Sequence, residues 1–311
     1  MKTSSGDETD PCASMKFNRI AIVGAGLVGS SFALAARRAG LAESITVWDR
    51  PAVIDAALSR GIADAVEDSF EAGRKCEADL VYLAAPVGAI IEFLETRGKQ
   101  VAPASIVTDA GSTKRSICAA AHRSLQPGVQ FVGGHPMAGS HLQGLDHASA
   151  DLFEGAPYAI VENDATSSTA VSALIDVVKS IGAAPVRIAA EDHDRVVAAV
   201  SHAPQLLSTA LALAVLDGPD GPSAFDLAGG GFADMVRLAA SRWSMWGDIC
   251  KTNGDNIAPV LAELARRIES FGKELASGRL ADLEEEFGKA SEAATGFLSR
   301  AKGGEGSELK L

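Results

Sequence analysis

A glycine-rich hexapeptide near the start of the chain has the spacing of a dinucleotide-binding turn. In GAGLVG, Gly24, Gly26 and Gly29 follow a β-branched run and precede an Ala-rich helical run. In such a turn the first glycine permits the bend, the second lets the backbone approach a pyrophosphate, and the third lets helix and strand pack closely. The motif therefore predicts that Gly24, Gly26, Leu27, Val28 and Gly29 bind the phosphates of a dinucleotide at a helix N-terminus.

A carboxylate that follows the turn by about 20 residues supports this interpretation. Asp49 ends a second predicted strand, at the position where a carboxylate binds the adenosine ribose hydroxyls. Its charge would repel a 2′-phosphate, and the neighbouring Arg50 would only partly offset that repulsion. We therefore expect Asp49 and Arg50 to favour NAD, with NADP a weaker ligand, although a flavin is compatible with the same glycine motif.

Two further strand ends carry small or polar residues. Ala84, Ala85 and Pro86 end one predicted strand, and small residues there let a cofactor pass close to the sheet edge; ordinary strand termination is the alternative. In TDAGSTK, Ser112 lies just after the end of the next strand and is expected to donate a hydrogen bond to a substrate or a nicotinamide. The alternative is a helix N-cap at Ser112 or Thr113.

A histidine framed by glycines and a proline is the strongest candidate for proton transfer. His135 in GGHPMAG is predicted to lie in a rigid loop on the cofactor edge of the sheet. An imidazole suits proton transfer near neutral pH, as alcohol oxidation requires. The alternative is a structural loop histidine.

Polar residues also interrupt the apolar second half of the chain. His202 and Gln205 in SHAPQ are three residues apart, so with Ser201 they are expected to line a polar pocket; the alternative is a buried pair satisfied by neighbouring helices. Arg237 lies in an apolar run and is expected to bind a carboxylate. An ion pair with Asp234 is its alternative.

Composition limits the class of protein. The chain has 311 residues, 47% hydrophobic and 22% charged, which suits a two-domain globular protein. The net charge of -12 disfavours binding to nucleic acid or to a membrane surface. The four cysteines have no metal-ligand or redox spacing, so we expect reduced thiols and no metal.

Residues 1–16 lack the features of a secretory signal, which predicts a cytoplasmic protein. The apolar segment Val196–Leu216 is interpreted as a buried helix rather than a membrane span, because it contains Ser201, His202, Pro204 and Gln205.

Alternating strand and helix patterns predict the elements that position these residues. The predicted strands are Arg19–Val23, Ser44–Asp49, Asp79–Ala85, Ser105–Asp109, the weaker Gln130–Gly133, Pro157–Glu162 and Ala184–Ala189. The predicted later helices are Asp192–Leu216, Ser223–Ala240, Ser244–Gly272 and Leu280–Ala301.

This order of strands and helices predicts an α/β fold in which an N-terminal Rossmann-type parallel-sheet domain precedes an all-helical dimerisation domain. We assign residues 17–190 to the dinucleotide-binding domain and residues 191–302 to the helical substrate and dimerisation domain. Residues 1–16 and 303–311 are expected to be disordered tails.

From about Asn18 to Asn253 the chain resembles the prephenate/arogenate dehydrogenases of tyrosine biosynthesis. The resemblance rests on the order and spacing of GAGLVG, TDAGSTK, GGHPMAGS, SHAP and GGGFADMVRLA. It implies that His135 pulls on the substrate's ring hydroxyl, with Ser112 beside it. It further implies that Arg237 holds a substrate carboxylate, that His202 belongs to the substrate pocket and that the protein is a homodimer.

The implied reaction is oxidative decarboxylation of prephenate or arogenate with hydride transfer to NAD. Two residues depart from the family pattern: Gln205 and His141 stand where many members have His and Glu. The first leaves the choice between prephenate and arogenate open. One alternative is a 3-hydroxyacid-type dehydrogenase, which would need a catalytic lysine in the helical domain, where Lys251 is the only candidate before Lys273. The other alternative is a non-catalytic NAD-sensing dimer, which would need neither His135 nor Arg237.

Overall fold

The computed structural model describes residues 16–68, 75–139, 144–162 and 166–302. Its strands are β1 Phe17–Val23, β2 Ala42–Asp49, β3 Ala65–Asp68, β4 Leu80–Leu83, β5 Ile106–Asp109, β6 Gln130–Phe131, β7 Gly133–Pro136, β8 Pro157–Val161 and β9 Ala184–Ile188. Its α-helices are α1 Leu27–Arg38, α2 Pro51–Ser59, α3 Val87–Arg97, α4 Arg115–Ser124, α5 Ser168–Ser180, α6 Ala190–Val197, α7 Ala203–Leu216, α8 Gly230–Val236, α9 Trp243–Ser277 and α10 Leu280–Lys302.

The first six strands form one parallel sheet in the order β3-β2-β1-β4-β5-β6. Alternate residues of β1 enter different cores: Ile20 and Ile22 pack on one side of the sheet with α1 and α5, and Ala21 and Val23 on the other with α3 and α4. Burial of both faces is what a parallel sheet between two helix layers requires. The predicted α/β fold is confirmed. The sequence patterns did not predict the short strand β3.

The last three strands form a separate sheet in the order β7-β8-β9, in which β7 runs antiparallel to β8. His135 therefore lies on a strand, opposite Ala159, and the prediction of a loop is wrong. Its GGHP segment has little intrinsic strand preference, but pairing with the PYAIV strand decides its conformation. The adjacent β5 also needs a glycine here, because a Cβ on Gly134 would lie 2.4 Å from the backbone oxygen of Asp109.

After Ile188 the described residues form helices and no strand. The first of them passes through a π-helical segment at Ala198–His202, which ends two residues before Pro204; such bulges are frequent at functional sites. The helical run over Ser223–Ala240 is interrupted, as its glycines lead one to expect. Glycines at 229–231 divide it into a 3-10 segment, the short helix α8, and a second 3-10 segment at Arg237–Ala240.

The helical region buries little of its own apolar surface within one chain. Its buried apolar cluster consists of Ala198, Ile249 and Ile257, whereas Leu227 is 93% and Trp243 72% exposed. By length and composition alone, the helix Ala190–Leu216 could cross a membrane. Within the structure, 33% of its most apolar window is buried, so the larger part of that window is not. The expectation of a buried helix thus holds near His202 and fails at Leu213 and Leu216, which are exposed.

Candidate active site

The glycine-rich turn between β1 and α1 has a distinct reason for each glycine. Gly24 has a φ of +99°, and a Cβ there would lie 2.5 Å from the backbone oxygen of Ala84. A Cβ on Gly29 would lie 1.9 Å from the backbone oxygen of Gly24. Gly26, in contrast, faces open space within 4 Å. Packing therefore fixes the first and third glycines, and the second leaves room for a pyrophosphate at the N-terminus of α1.

Asp49 lies at the end of β2 and contacts this turn. Its Oδ2 accepts a hydrogen bond from the backbone N–H of Ala25 at 2.7 Å, and its Oδ1 accepts one from the N–H of Arg50 at 2.6 Å. The Asp49 side chain is 16% exposed, while that of Arg50 is 73% exposed. A partly exposed carboxylate beside the turn fits the hydroxyls of an adenosine ribose. Together with the open side of Gly26, it fits a dinucleotide.

The small residues after β4 lie beside the same turn. Ala84 and Ala85 are partly buried, and Pro86 is the N-cap residue of α3. The N–H of Gly88 in the first turn of α3 donates to Asp248 Oδ2 on α9 at 2.8 Å. A carboxylate of the helical region thus caps a helix of the dinucleotide-binding region.

A buried ion pair fixes the loop after β5 to the strand that carries His135. Asp109 and Lys114 are both fully buried, and the Lys114 ammonium donates to the Asp109 carboxylate. Lys114 Nζ also donates to the backbone oxygen of Gly134 at 2.6 Å, and Asp109 Oδ1 accepts the N–H of Gly134 at 3.1 Å. Both backbone groups of the residue preceding His135 are therefore held. The sequence patterns did not predict this pair; the available signal was two opposite charges at and just after the end of a buried strand in TDAGSTK.

Ser112 lies in this loop, partly buried, and forms no hydrogen bond with another described residue. The alternative of an N-cap at Ser112 or Thr113 is wrong, because α4 begins after Lys114 without a side-chain cap from its own loop. Instead, Asp194 of α6 accepts the backbone N–H of Lys114 at 2.7 Å and that of Arg115 at 3.1 Å.

His135 contacts a second buried histidine. Its Nδ1 lies 2.9 Å from His193 Nε2, and His193 Nδ1 lies 2.9 Å from Asp194 Oδ1. Burial, followed by the nearby His193, Lys114 and His202, lowers the pKa of His135 well below its ordinary value. Burial also lowers the pKa of His193, although the hydrogen bond to Asp194 opposes the shift. Both imidazoles are therefore uncharged at neutral pH. The sequence patterns indicated no role for His193 or Asp194.

His202 is buried within the helical region. Its Nδ1 lies 3.1 Å from Asn253 Nδ2, and Asn253 sits at a break in α9 where φ is -135°. Burial lowers the pKa of His202 to about 4. Its ring stacks edge-on against Trp246 with centroids 5.8 Å apart, and neither His202 Nε2 nor Trp246 Nε1 has a hydrogen-bond partner among the described residues. The sequence patterns indicated no role for Trp246 or Asn253.

The remaining predicted substrate residues are placed differently. Gln205 is buried and donates from Nε2 to the backbone oxygen of Leu238 at 2.7 Å, so it supports the segment that carries Arg237. Arg237 is exposed, and in the part of the chain that the structure describes it forms no ion pair with Asp234 and no hydrogen bond with His135. Ser201 is partly buried in the π-helical segment.

The described residues contain no group of histidine, cysteine, aspartate and glutamate side chains arranged to hold a metal ion. Cys76, Cys118 and Cys250 are free thiols. Cys12 and His141 lie outside the described residues.

Two family models match consecutive parts of the chain. Residues 32–187 match the family model for the nucleotide-binding domain of prephenate dehydrogenase, and residues 189–289 match the model for its dimerization domain. A prephenate dehydrogenase of Bacillus subtilis is 34% identical over 289 residues, covering 91% of this chain and 77% of that protein.

Two solved structures are similar over most of their length. A prephenate dehydrogenase from A. aeolicus, in complex with hydroxyphenyl propionate and NAD+, has a TM-score of 0.84 and 27% identity, covering 92% of this chain and 99% of that one. An arogenate dehydrogenase from Synechocystis has a TM-score of 0.75 and 26% identity, covering 90% and 99% of the two chains.

The turn, the carboxylate beside it and the buried histidine define a dehydrogenase with a nucleotide-binding domain. The chain belongs to the prephenate dehydrogenase family, which confirms the resemblance drawn from the sequence motifs.

Proposed function

We propose that the protein catalyses the NAD-dependent oxidative decarboxylation of prephenate or arogenate to 4-hydroxyphenylpyruvate or tyrosine. The observation that carries the proposal is His135: a buried, uncharged imidazole on β7, with one ring nitrogen bonded to His193 and the other, Nε2, without a partner among the described residues. The similar proteins are named prephenate dehydrogenase and arogenate dehydrogenase, and the A. aeolicus structure contains NAD+.

The glycine turn, Asp49 and the Ala84–Pro86 edge would hold the cofactor. A bound NAD would supply the hydride acceptor for the ring carbon that carries the hydroxyl. His135 takes the hydroxyl proton as that carbon gains carbonyl character. The ring carboxylate then leaves as carbon dioxide, the electron pair of the broken C–C bond makes the ring aromatic, and His135 returns the proton to the phenolate oxygen. General-base assistance of this kind contributes about 10²–10⁴-fold to the rate. Ser112, in the loop tied to Gly134 through Lys114, supplies a further donor beside the reacting hydroxyl.

Two buried N–H groups support an anion site next to the base. Asn253 Nδ2 donates to the backbone oxygen of Asp194 at 2.8 Å, and Asn253 Oδ1 accepts from Arg115, which fixes the orientation of the amide. Its second N–H therefore donates to His202 Nδ1. In a neutral imidazole the proton is then on Nε2, so His202 and Trp246 both present N–H donors that lack partners among the described residues.

A buried donor without a partner costs about 1–3 kcal/mol, so the His202 and Trp246 N–H groups favour a ligand with acceptor oxygens. We assign them to one substrate carboxylate. Arg237, supported through Gln205, is assigned to the other carboxylate, and Ser201 lies beside His202 at the edge of the pocket.

We also propose that the enzyme works as a cytoplasmic homodimer that binds neither nucleic acid nor membranes. The helical region matches a dimerization domain and leaves Trp243, Leu227 and Phe287 exposed, a surface that a second copy would bury. Light scattering should give a mass near twice 32.0 kDa. A monomer at micromolar concentration would contradict the dimer.

The 3-hydroxyacid alternative required a catalytic lysine in the helical region. Lys251 is exposed on α9, and the buried lysine, Lys114, is bound to Asp109 in the other region. This placement favours the prephenate-type reaction. A turnover assay alone distinguishes the proposed enzyme from a non-catalytic NAD sensor.

The experiment that tests the proposal is a set of steady-state rates with prephenate and with arogenate, each with NAD and with NADP. We expect turnover of at least one substrate, with NAD used better than NADP. Failure to turn over either substrate with either cofactor would refute the proposed function.

A further inference from the structure

A chain of hydrogen bonds runs from Asp194 through His193 to His135 and joins the helical region to the sheet. We infer that Asp194 sets, through His193, the tautomer in which His135 accepts the substrate proton. The inference deepens the proposed reaction and rests on it. It makes Asp194 and His193 positioning residues for the base, since the contacts place them behind His135.

The first step is that Asp194 acts only as an acceptor. Its carboxylate receives the backbone N–H groups of Lys114 and Arg115, and its Oδ2 also receives Arg115 Nε at 3.2 Å. Burial alone would raise the pKa of Asp194, but the hydrogen bonds from His193 and from these backbone groups lower it below its ordinary value. An ionised carboxylate has no proton to donate. His193 Nδ1 must therefore carry the proton in the 2.9 Å contact with Asp194 Oδ1.

The second step follows from the neutral state of the two histidines. With a proton on Nδ1, the Nε2 of neutral His193 is an acceptor. The 2.9 Å contact then requires His135 Nδ1 to donate. His135 Nε2 is left with a free lone pair, which is the form that takes a proton from a substrate hydroxyl.

The same chain stabilises the product of that proton transfer. The O–H bond of the substrate breaks and an N–H bond forms at His135 Nε2. The resulting imidazolium still donates from Nδ1 to His193, whose own Nδ1–H bonds to the Asp194 carboxylate. The negative charge of Asp194 thus opposes the effect of the buried Lys114 ammonium, which disfavours a positive charge on His135.

Asp194 is also a joint between the two regions, because it caps α4 of the sheet region from α6 of the helical region. The base is in its working tautomer only when these regions are docked as they are here.

Asp194→Asn tests the inference, because the amide is similar in size but must choose which side its oxygen faces. With the oxygen toward His193, the NH2 group would meet two donors, Arg115 N and Nε. With the NH2 group toward His193, it meets one fixed donor, the N–H of Lys114, and a histidine that can change tautomer. The second orientation is favoured. It reverses the proton positions in both histidines and places a proton on His135 Nε2.

We expect Asp194→Asn to lower kcat by about 10²–10⁴-fold at every pH, since the equivalent change in serine-protease triads acts through the wrong tautomer. KM values for substrate and NAD should change little. The matched control is Asp255→Asn, which removes another carboxylate from Arg115 but is 63% exposed and touches no histidine; its kcat should stay within about twofold of wild type.

A second pair of variants covers the case in which Asp194→Asn does not fold. His193→Gln places an amide oxygen near the position of Nε2 and keeps an acceptor for His135, whereas His193→Leu removes it. We expect the Gln variant to retain about tenfold more kcat than the Leu variant, the weight of one buried hydrogen bond.

The direct readout is ¹⁵N NMR of protein with labelled histidines, of which the chain has six. The signals of His135, assigned with a His135→Asn sample, should show a protonated Nδ1 and an unprotonated Nε2 in the wild type, reversed in Asp194→Asn. A protonated Nε2 in the wild type, or wild-type kcat in folded Asp194→Asn, would overturn the inference. Absence of turnover by the wild type would refute the proposed function instead, and the NMR result would still decide the tautomer.

Discussion

Replacing Lys114 with methionine tests whether the buried ion pair supports the strand that carries His135. Methionine has a similar length but no charge. In Lys114→Met, Asp109 would keep the backbone N–H groups of Gly111 at 2.8 Å and Gly134 at 3.1 Å, but would lose its only cationic partner in the described structure. The backbone oxygen of Gly134 would also lose the Lys114 donor.

The expected loss follows from the burial of both partners, which are 0% exposed. Removing one member of a buried pair costs about 3–5 kcal/mol, because the remaining charge stays buried without compensation. At about 2 °C per kcal/mol for a chain of this size, Tm should fall by about 6–10 °C. Adding Asp109→Asn to Lys114→Met should recover part of the loss, since the amide keeps an acceptor and removes the unpaired charge.

Differential scanning calorimetry of the single and double variants measures these shifts. Lys289→Met is the matched control, because Lys289 pairs with Glu285 on an exposed helix face, and its Tm should stay within about 1 °C of wild type. A Lys114→Met protein with the Tm of the wild type would refute the reasoning. A double variant whose Tm falls further below that of Lys114→Met, instead of recovering part of the loss, would also refute it.

Three further predictions concern the ligand sites. Gly26→Ala should leave the Tm of the cofactor-free protein unchanged, because a Cβ there meets nothing within 4 Å. It should weaken NAD binding by about tenfold or more, because the Cβ would occupy the space of the pyrophosphate. Unchanged NAD affinity in a fluorescence titration would show that Gly26 does not contact the pyrophosphate. Asp49→Ser should narrow the preference for NAD over NADP, since it removes the charge that repels a 2′-phosphate; a wild-type preference for NADP would contradict the assignment. Arg237→Ala should raise KM for the cyclohexadienyl substrate, because the loss of a desolvated ion pair costs about 2–5 kcal/mol of binding free energy. The affinity for NAD should stay near that of the wild type. An unchanged KM would make Arg237 a surface residue.

The elements around the glycine turn were predictable because their signals are local. The Ala-rich run after the glycine turn forms helix α1, and the predicted strands of the parallel sheet differ from the observed ones by at most two residues at either end. Each of these elements is a run of β-branched or Ala-rich sequence bounded by glycine or a polar residue. Such patterns depend on near neighbours in the chain.

The setting of His135 was not predictable, because every group that determines it is distant in sequence. His135 pairs with β8, contacts His193 of the helical region, and is flanked by Gly134, which Lys114 and Asp109 hold from another loop. No local pattern in GGHP indicates a strand. The N-cap prediction for Ser112 or Thr113 was wrong for the same reason, since the cap comes from Asp194, about 80 residues away in the chain.

The central claim, that His135 is the base, is tested most directly by kcat measured against pH for the wild type and His135→Asn. The active form is the neutral imidazole, and its pKa is lowered well below the ordinary value, so kcat should stay level through neutral pH and fall only at pH clearly below about 6.5. His135→Asn should lower kcat by about 10²-fold or more and abolish the acid decline, while NAD binding persists. A variant with nearly wild-type kcat and the same acid decline would show that another group is the base.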